Sequence, residues 1–281
     1  MLSVREVGLV AQRELYRNLR STKGIAMAAL FFLGGVVPSV IRVWLTRLAA
    51  SRGMDTLPDD AKKDLFRQGL AQIYESKEIV DHLANAPPVI YFLFAGTLTF
   101  LPLFILPIGF DQIAGEIQHR TLRYSAGRAD RTSIVVGKAI GVWGVIAVMT
   151  AILHLTVWII ALAQGGQSFG QILSWGGRFW FFSVFCAASY VGYVSLISSL
   201  FRTPIVALFV AGGGGFALWL AYKIFSFIPA THSVGWAFPN RYEQLVVSPD
   251  PLYVLGGLAL FVAWGGACVA AASVIVNRRD I

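Results

Sequence analysis

Six long apolar stretches, each close to or above the length of a bilayer-crossing helix, dominate this chain of 281 residues. They occupy residues 24–45, 89–110, 134–162, 179–201, 205–222 and 252–276. A helix needs about 20 apolar residues to cross the hydrocarbon core of a membrane. Backbone polar groups find no water in lipid, so a spanning segment satisfies them within a helix. The sequence therefore predicts an all-α membrane protein in which residues 1–281 form one domain of six transmembrane helices.

The composition agrees with a chain whose main solvent is lipid. Charged residues make up 14% of it, against roughly 25% in soluble domains, and the mean hydropathy is +0.66. The first 23 residues are polar and basic, so we expect no cleavable signal peptide. Cys186 and Cys268 lie inside apolar stretches, and we expect neither a disulfide nor a metal pair from them.

The fourth and fifth apolar stretches are separated only by Arg202, Thr203 and Pro204. Together the two stretches are too long for one crossing, so we expect a tight turn there. Four consecutive glycines, residues 212–215, weaken the fifth helix by about 1 kcal/mol each relative to alanine.

Basic residues are unevenly divided between the two ends of the predicted bundle. One side carries 13 basic and six acidic residues, and the other carries 10 and nine. The 13 are Arg5, Arg13, Arg17, Arg20, Lys23, Arg120, Arg123, Arg128, Arg131, Lys138, Arg202, Arg278 and Arg279. The positive-inside rule places this side, with both termini, in the cytoplasm. We interpret the net charge of +8 as a topology signal and expect no nucleic-acid partner.

Residues 1–23 are predicted to form an amphipathic helix at the cytoplasmic interface. Apolar residues recur there at helical spacing, with basic residues around them. The apolar positions are Val4, Val7, Ala11, Leu15 and Leu19, and the flanking charged positions are Arg13, Glu14, Arg17 and Arg20. The alternative is a basic leader that only sets topology.

Two outer segments are long enough for structure of their own. In the loop of residues 46–88, Pro58 favours a helix start, and Pro87-Pro88 would end the helix. Its apolar face is predicted from Phe66, Leu70, Ile73, Val80 and Leu83. We expect this helix to pack on the membrane domain; a docking site for a periplasmic partner is the alternative. Residues 223–251 mix aromatic residues and prolines, which predicts short re-entrant or interfacial helices, with an ordinary aromatic-rich loop as the alternative.

The sequence carries no complete catalytic signature. The only Gly-Lys pair, Gly137-Lys138, is followed by Ala139, so the chain carries no phosphate loop for ATP. Residues 162–167 resemble the signature peptide of ABC ATPases, yet they lie on the predicted outer side. The four histidines are scattered, and His154, within the third span, is expected to be a packing hydrogen bonder. We expect no metal site and no catalytic residue.

The loop after the second span carries the most informative pattern. It reads Phe110-Asp111-Gln112-Ile113-Ala114-Gly115-Glu116, then Arg120-Thr121-Leu122, then Arg131, Ile134 and Gly137-Lys138. This resembles the type-2 ABC permease family, whose members carry D-x-I-x-G-E, then T-L, then R-x-x-I-x-x-G-K. Arg13-Glu14-Leu15 and Arg20 also resemble the family's opening. The chain departs from the family in lacking a proline before the arginine of residues 125–130, which leaves the shape of the loop open.

The resemblance implies a cytoplasmic coupling helix within residues 111–133. The residues it implies for coupling to an ATPase are Asp111, Gly115, Glu116, Arg120, Thr121 and Arg131. The interfacial residues would be Arg13, Glu14, Arg17 and Arg20. The alternative is that these charges set topology and stabilise a short interfacial helix.

The resemblance further implies a permease subunit of an ATP-driven exporter in the bacterial inner membrane. Its partners would be cytosolic ABC ATPase subunits, a second permease subunit in a homo- or heterodimer, and the lipid bilayer. ATP and Mg²⁺ would bind to the ATPase, and no cofactor to this chain. Two alternatives stay open: ATP-driven mechanical signalling to a periplasmic partner, and an intramembrane enzyme. The transported substrate is not legible in the sequence.

Overall fold

The computed structural model describes residues 3–51, 58–165 and 167–279, and every regular element in them is helical. The α-helices in these ranges are α1 (Val4–Arg20), α2 (Thr22–Ser51), α3 (Asp59–Ile73), α4 (Lys77–Leu83), α5 (Pro88–Gly109), α6 (Ala114–Gln118), α7 (Leu122–Ala126), α8 (Arg131–Gln164), α9 (Phe169–Leu200), α10 (Pro204–Phe227), α11 (Tyr242–Val246) and α12 (Pro251–Asn277). Two 3₁₀ helices, Pro229–Ala237 and Pro239–Arg241, lie between α10 and α11.

The prediction of six spanning helices is confirmed. Among the described residues, α2, α5, α8, α9, α10 and α12 are long and apolar enough to cross a membrane. The fourth begins at Phe169, ten residues before the predicted start at Phe179. A capping box explains the earlier start, because the Ser168 hydroxyl accepts from the Gln171 amide at 3.2 Å and the Gln171 side chain accepts from the Ser168 amide.

The turn between α9 and α10 has the predicted form. Helix α9 ends at Leu200, and α10 starts with Pro204, where a missing amide hydrogen costs nothing. The glycine run does not interrupt α10. Tyr193 fits against it, donating to the Ala211 carbonyl at 3.1 Å, and a Cβ on Gly214 would lie 2.4 Å from the Tyr193 hydroxyl. Gly214 therefore serves packing against α9.

The spanning helices differ in how far the bundle encloses them. Helix α9 lies at the centre: 56% of the residues in its most apolar 18-residue stretch are buried. In the corresponding stretches of α2 and α10, 11% and 17% of the residues are buried. Both α2 and α10 contact α5. One side of the bundle, formed by α2, α5 and α10, is therefore left uncovered within this chain.

The outer loop folds as two helices rather than one. Helix α3 ends at Ile73 and α4 begins at Lys77. Leu70, Val80 and Leu83 are buried as predicted, but Ile73 is 61% exposed, so its assignment to the apolar face was wrong. The break in the helix between the two segments removes Ile73 from the shared face. An ion pair between Arg67 and Asp81 links the two helices.

Within residues 223–251, α10 continues to Phe227 and is followed by the two 3₁₀ helices and α11, which packs against α12. The Tyr242 hydroxyl donates to the Trp236 carbonyl at 2.7 Å, and the Trp264 indole donates to the Ala237 carbonyl at 3.2 Å. Burial raises the pKa of Glu243 to about 7, and Lys223 opposes that rise. A re-entrant position for this segment stays a prediction.

Several of the side chains that the charge count grouped together lie at one end of the bundle, among them Lys138 beside Glu116 and Arg131 beside the Arg279 carbonyl. There the Asn277 amide donates to the Thr132 hydroxyl at 3.0 Å. The Arg279 guanidinium donates to the Leu200 carbonyl. We call this the charged end; its cytoplasmic location stays a prediction.

Candidate functional site at the charged end of the bundle

Helix α1 lies against α8 at two glycines spaced four residues apart. A Cβ on Gly137 would lie 2.7 Å from the Val10 Cβ, and one on Gly141 would lie 2.6 Å from the Glu14 Cβ. Residues four apart share one face of a helix. The G-K step of the sequence pattern therefore has a physical reason, because only glycine lets α1 approach α8 this closely.

The face that α1 turns inward is more polar than predicted. Its fully buried side chains are Glu14 and Asn18, whereas Val4 is 83% exposed. The Asn18 amide donates to the Glu14 carboxylate at 3.1 Å. The helix itself is present as expected, and its position at the bilayer interface stays a prediction.

A cluster of four charged side chains joins α1, α6 and α8; we call it the Lys138 cluster. It comprises Glu14, Arg17, Glu116 and Lys138. The Lys138 ammonium lies 3.2 Å from the Glu14 carboxylate and 2.8 Å from that of Glu116. Arg17 pairs with Glu14 and lies 4.0 Å from Glu116. Two cations and two carboxylates balance, which is the condition for burying such groups.

Burial makes the cluster sensitive to the loss of Glu14 or Lys138, which are each 3% exposed. The Glu116 side chain is 16% exposed, and that of Arg17 is 46% exposed. Removing one partner of a buried ion pair leaves an uncompensated charge and costs about 3–5 kcal/mol. The structure turns Glu116 inward onto α8, where Lys138 offers it a cation.

The segment before α6 is fixed to α9 by Ser198. Its hydroxyl accepts from the amides of Ile113 and Ala114 at 3.1 Å each. It donates to the Phe110 carbonyl at 2.8 Å. One side chain thus satisfies three backbone groups where α5 ends and α6 begins.

Two further contacts hold the same segment. The Gln112 side-chain amide donates to the Ser195 hydroxyl, also on α9, at 2.7 Å. Asp111 pairs with Lys23 of α2 at 2.7 Å. The predicted coupling segment is therefore attached to α2, α8 and α9 at once.

The unusual backbone conformation in this segment lies at Arg120 and not at Gly115. A Cβ on Gly115 would meet only ordinary contacts at 3.7 and 3.9 Å, so no close approach requires glycine there. Arg120 instead has a φ of 56°. The Thr121 amide donates to the Glu116 carbonyl at 2.9 Å and the Arg120 amide to that of Ile117 at 3.2 Å, which ends α6 in a Schellman motif with arginine at the left-handed position.

Beyond this cap, a basic tip faces away from the bundle. Its exposed residues are His119, Arg120, Thr121, Arg123, Tyr124 and Arg128. Tyr124 is 80% exposed, although a tyrosine usually buries its ring. We call this set the exposed tip.

The remaining predicted residues lie apart from the cluster. The Arg131 guanidinium donates to the carbonyls of Asn277 and Arg279 at 3.2 and 2.8 Å, so it caps the carboxyl end of α12. Arg13 is exposed on α1. The Arg20 guanidinium lies 5.7 Å from the Tyr16 ring centroid. The coupling role of Arg131 and the interfacial roles of Arg13 and Arg20 stay predictions.

Sequence reasoning missed several residues of this site. Ser195 and Ser198 lie inside an apolar stretch and gave no signal. Lys138 was quoted in the pattern but counted only as a topology charge. A lysine at the start of a spanning helix is costly unless paired, which would have pointed to a carboxylate partner.

A family model described as "ABC-2 family transporter protein" matches residues 9–264, which include the whole Lys138 cluster and the exposed tip. No curated protein matches the chain.

Proposed function

Because the chain belongs to the ABC-2 transporter family, we propose that it is the permease subunit of an ATP-driven exporter whose ATPase is a separate cytosolic chain. The family and the six apolar helices make it a membrane subunit that is not itself catalytic. A permease without its own ATPase needs a firm element that receives force and passes it to the spanning helices.

The Lys138 cluster is the observation that carries this proposal. It connects α6 to α8 and α1 through ion pairs of 2.8 and 3.2 Å. Ser198 connects the start of α6 to α9. A push on α6 therefore reaches three helices through short, directional contacts rather than through a loose loop.

The exposed tip supports an ATPase partner with an acidic docking groove. Arg120, Arg123 and Arg128 are exposed within nine residues, and Arg forms strong paired hydrogen bonds with carboxylates. Tyr124 adds a flat apolar ring of the kind found at interface hot spots. ATP and Mg²⁺ would be held by that partner.

The uncovered side of the bundle supports a second permease subunit, identical or homologous. Large apolar side chains of α10 and α5 are exposed on this side: Ile205 at 67%, Phe209 at 73% and Leu103 at 62%. Pairing two such sides would enclose a path that one set of six helices leaves open.

We place the protein in the bacterial inner membrane with the charged end and both termini in the cytoplasm. Reporter fusions at Ala71 of α3 and Ala126 of α7 test this orientation. The first is expected to score as outside and the second as inside, and equal scores would overturn it.

The central experiment is Glu116→Gln in the complex purified with its ATPase from native membranes and placed in lipid vesicles. The amide keeps the shape of the side chain and removes its charge. A charge-assisted hydrogen bond contributes about 1.5–3 kcal/mol, so permease-stimulated ATP hydrolysis is expected to fall roughly tenfold, equivalent to about 1.4 kcal/mol.

Gln118→Ala is the matched control, because Gln118 is an exposed polar residue on the same short helix. It is expected to retain wild-type hydrolysis. Equal rates for Glu116→Gln and wild type at equal expression would make α6 a connector only. ATP hydrolysis by the pure permease alone would overturn the assignment of a separate ATPase.

A further inference from the structure

A deep apolar cleft of about 670 Å³ lies between α2, α5 and α8. Its walls are formed by Phe31, Gly34, Gly35, Pro38, Ser39, Val89, Phe92, Leu93, Gly96, Thr97, Phe100, Phe104 and Leu153. All of these residues belong to spanning helices. The cleft is therefore a feature of the membrane-embedded part of the protein.

The cleft offers no free polar group to a ligand. Its hydroxyls already bond within their own helices, Ser39 to the Gly35 carbonyl and Thr97 to the Leu93 carbonyl, each at 2.8 Å. No charged side chain lines it. An ion, sugar or peptide would lose hydration there without replacement, at about 2–7 kcal/mol for each polar group.

The shape of the cleft is long and closed at one end. Along α5 it extends from Val89 to Phe104, about 22 Å at the rise of an α-helix. This exceeds half of the roughly 30 Å hydrocarbon core. The rings of Phe31 and Phe104, 4.6 Å apart between centroids in a T-shaped pair, close the end nearer the Lys138 cluster.

Two glycines set the width of this cleft. A Cβ on Gly34 or on Gly96 would meet no atom within 4 Å, so both face open space. Gly35 differs, because its missing side chain admits Leu153, whose Cδ1 would lie 2.4 Å from a Cβ there. The open volume is thus bounded on the α8 side and free along α2 and α5.

We propose that this cleft binds the acyl chain of a membrane lipid that enters from the end opposite the Lys138 cluster. The length, the apolar walls and the closed end fit a single extended hydrocarbon chain, held by dispersion contacts. The proposal rests on the proposed permease function and its orientation, which make that end the outer one.

The test uses the full chain in vesicles of phosphatidylethanolamine and phosphatidylglycerol containing a trace of phospholipid with a photoactivatable acyl chain. After illumination, mass spectrometry of the peptides is expected to find labels concentrated in residues 31–39 and 89–104. The double variant Gly34→Leu, Gly96→Leu fills the cleft and is expected to lose these labels. Gly266→Leu is the matched control, because a Cβ at Gly266 of α12 also meets nothing within 4 Å.

Equal labelling of the cleft in the double variant and wild type would overturn the proposal. So would labels spread evenly over all lipid-facing helices. Disulfide formation between copies carrying Gly96→Cys, with no lipid label, would show that a second subunit occupies the cleft instead. Each of these failures leaves the coupling experiment on Glu116 unaffected, so the two proposals fail separately.

Discussion

The two ends of the helix bundle hold themselves together by different chemistry. At the charged end, the buried Lys138 cation lies between two carboxylates. At the opposite end, the partly buried Arg178 of α9 donates to neutral groups, the His82 ring at 2.9 Å and the Ser248 carbonyl at 2.8 Å. Burial, with Arg178 beside it, lowers the pKa of His82, so the ring stays neutral and accepts. The charged end therefore depends on buried ion pairs, whereas at the opposite end Arg178 relies on neutral acceptors and the Arg67–Asp81 pair is exposed to solvent.

Lys138→Met is the substitution expected to break the charged end most severely. It leaves Glu14 and Glu116 without their shared cation, at a cost of about 3–5 kcal/mol. The midpoint of thermal unfolding in detergent should fall sharply. Arg123→Met, which removes an exposed cation nearby, serves as the control and should stay close to wild type; equal midpoints for both would refute the buried cluster.

Gly141→Leu is expected to have the next largest effect, on the attachment of α1 to α8. The new side chain would occupy the space of the Glu14 Cβ, and overpacking of this kind costs about 1–3 kcal/mol. Proteolysis at α1 should accelerate as the helix is displaced from α8. Gly8→Leu is the control on α1 itself. A Cβ at Gly8 would meet nothing within 4 Å, so this variant should not change the cleavage rate. If the two variants are cleaved alike, α1 does not depend on close contact with α8.

Arg120→Gly is expected to stabilise the charged end rather than weaken it. Glycine adopts a φ of 56° without the penalty of about 1–2 kcal/mol borne by other residues. This variant should raise the unfolding midpoint slightly. Arg120→Ala removes the same charge but keeps the strain, so it should not. A matching rise in both variants would assign the effect to charge instead.

Glu243→Gln tests the opposite end through pH. With its pKa raised from 4.5 to about 7, Glu243 keeps its proton in the folded protein where the unfolded chain has released it. Its contribution to stability therefore falls as pH rises from about 4.5 to about 7 and is constant above that. The unfolding midpoint of wild type relative to Glu243→Gln should drop between about pH 4.5 and pH 7. A constant difference would place Glu243 in water.

The spanning helices were predictable because length and apolarity alone determine them. The turn at Arg202 to Pro204 was predictable for the same reason, since no helix can continue through two crossings. The exposure of Ile73 was not, because helical periodicity assumes an unbroken helix and the break after it depends on packing.

The candidate site was predictable in its position and not in its contacts. The sequence indicated Glu116 and Gly115 together, but Glu116 faces α8 and Gly115 needs no space. Glu116 pairs with Lys138 of α8, 22 residues later in the chain, and lies near Arg17 of α1, 99 residues earlier. Only the folded chain shows which distant charges meet.

The three-residue connection after Leu200 divides the molecule mechanically. On one side of it, α9 carries the Ser195 and Ser198 attachments and meets α12 so closely that a Cβ on Gly192 would lie 2.6 Å from the Gly265 Cα. On the other side lies α10, and only 17% of its most apolar 18-residue stretch is buried. Force delivered to α6 would thus turn α9 and α12 as one stiff body. The bending would concentrate at residues 201–203, so that α10 swings as a hinged arm at the edge where two subunits would meet.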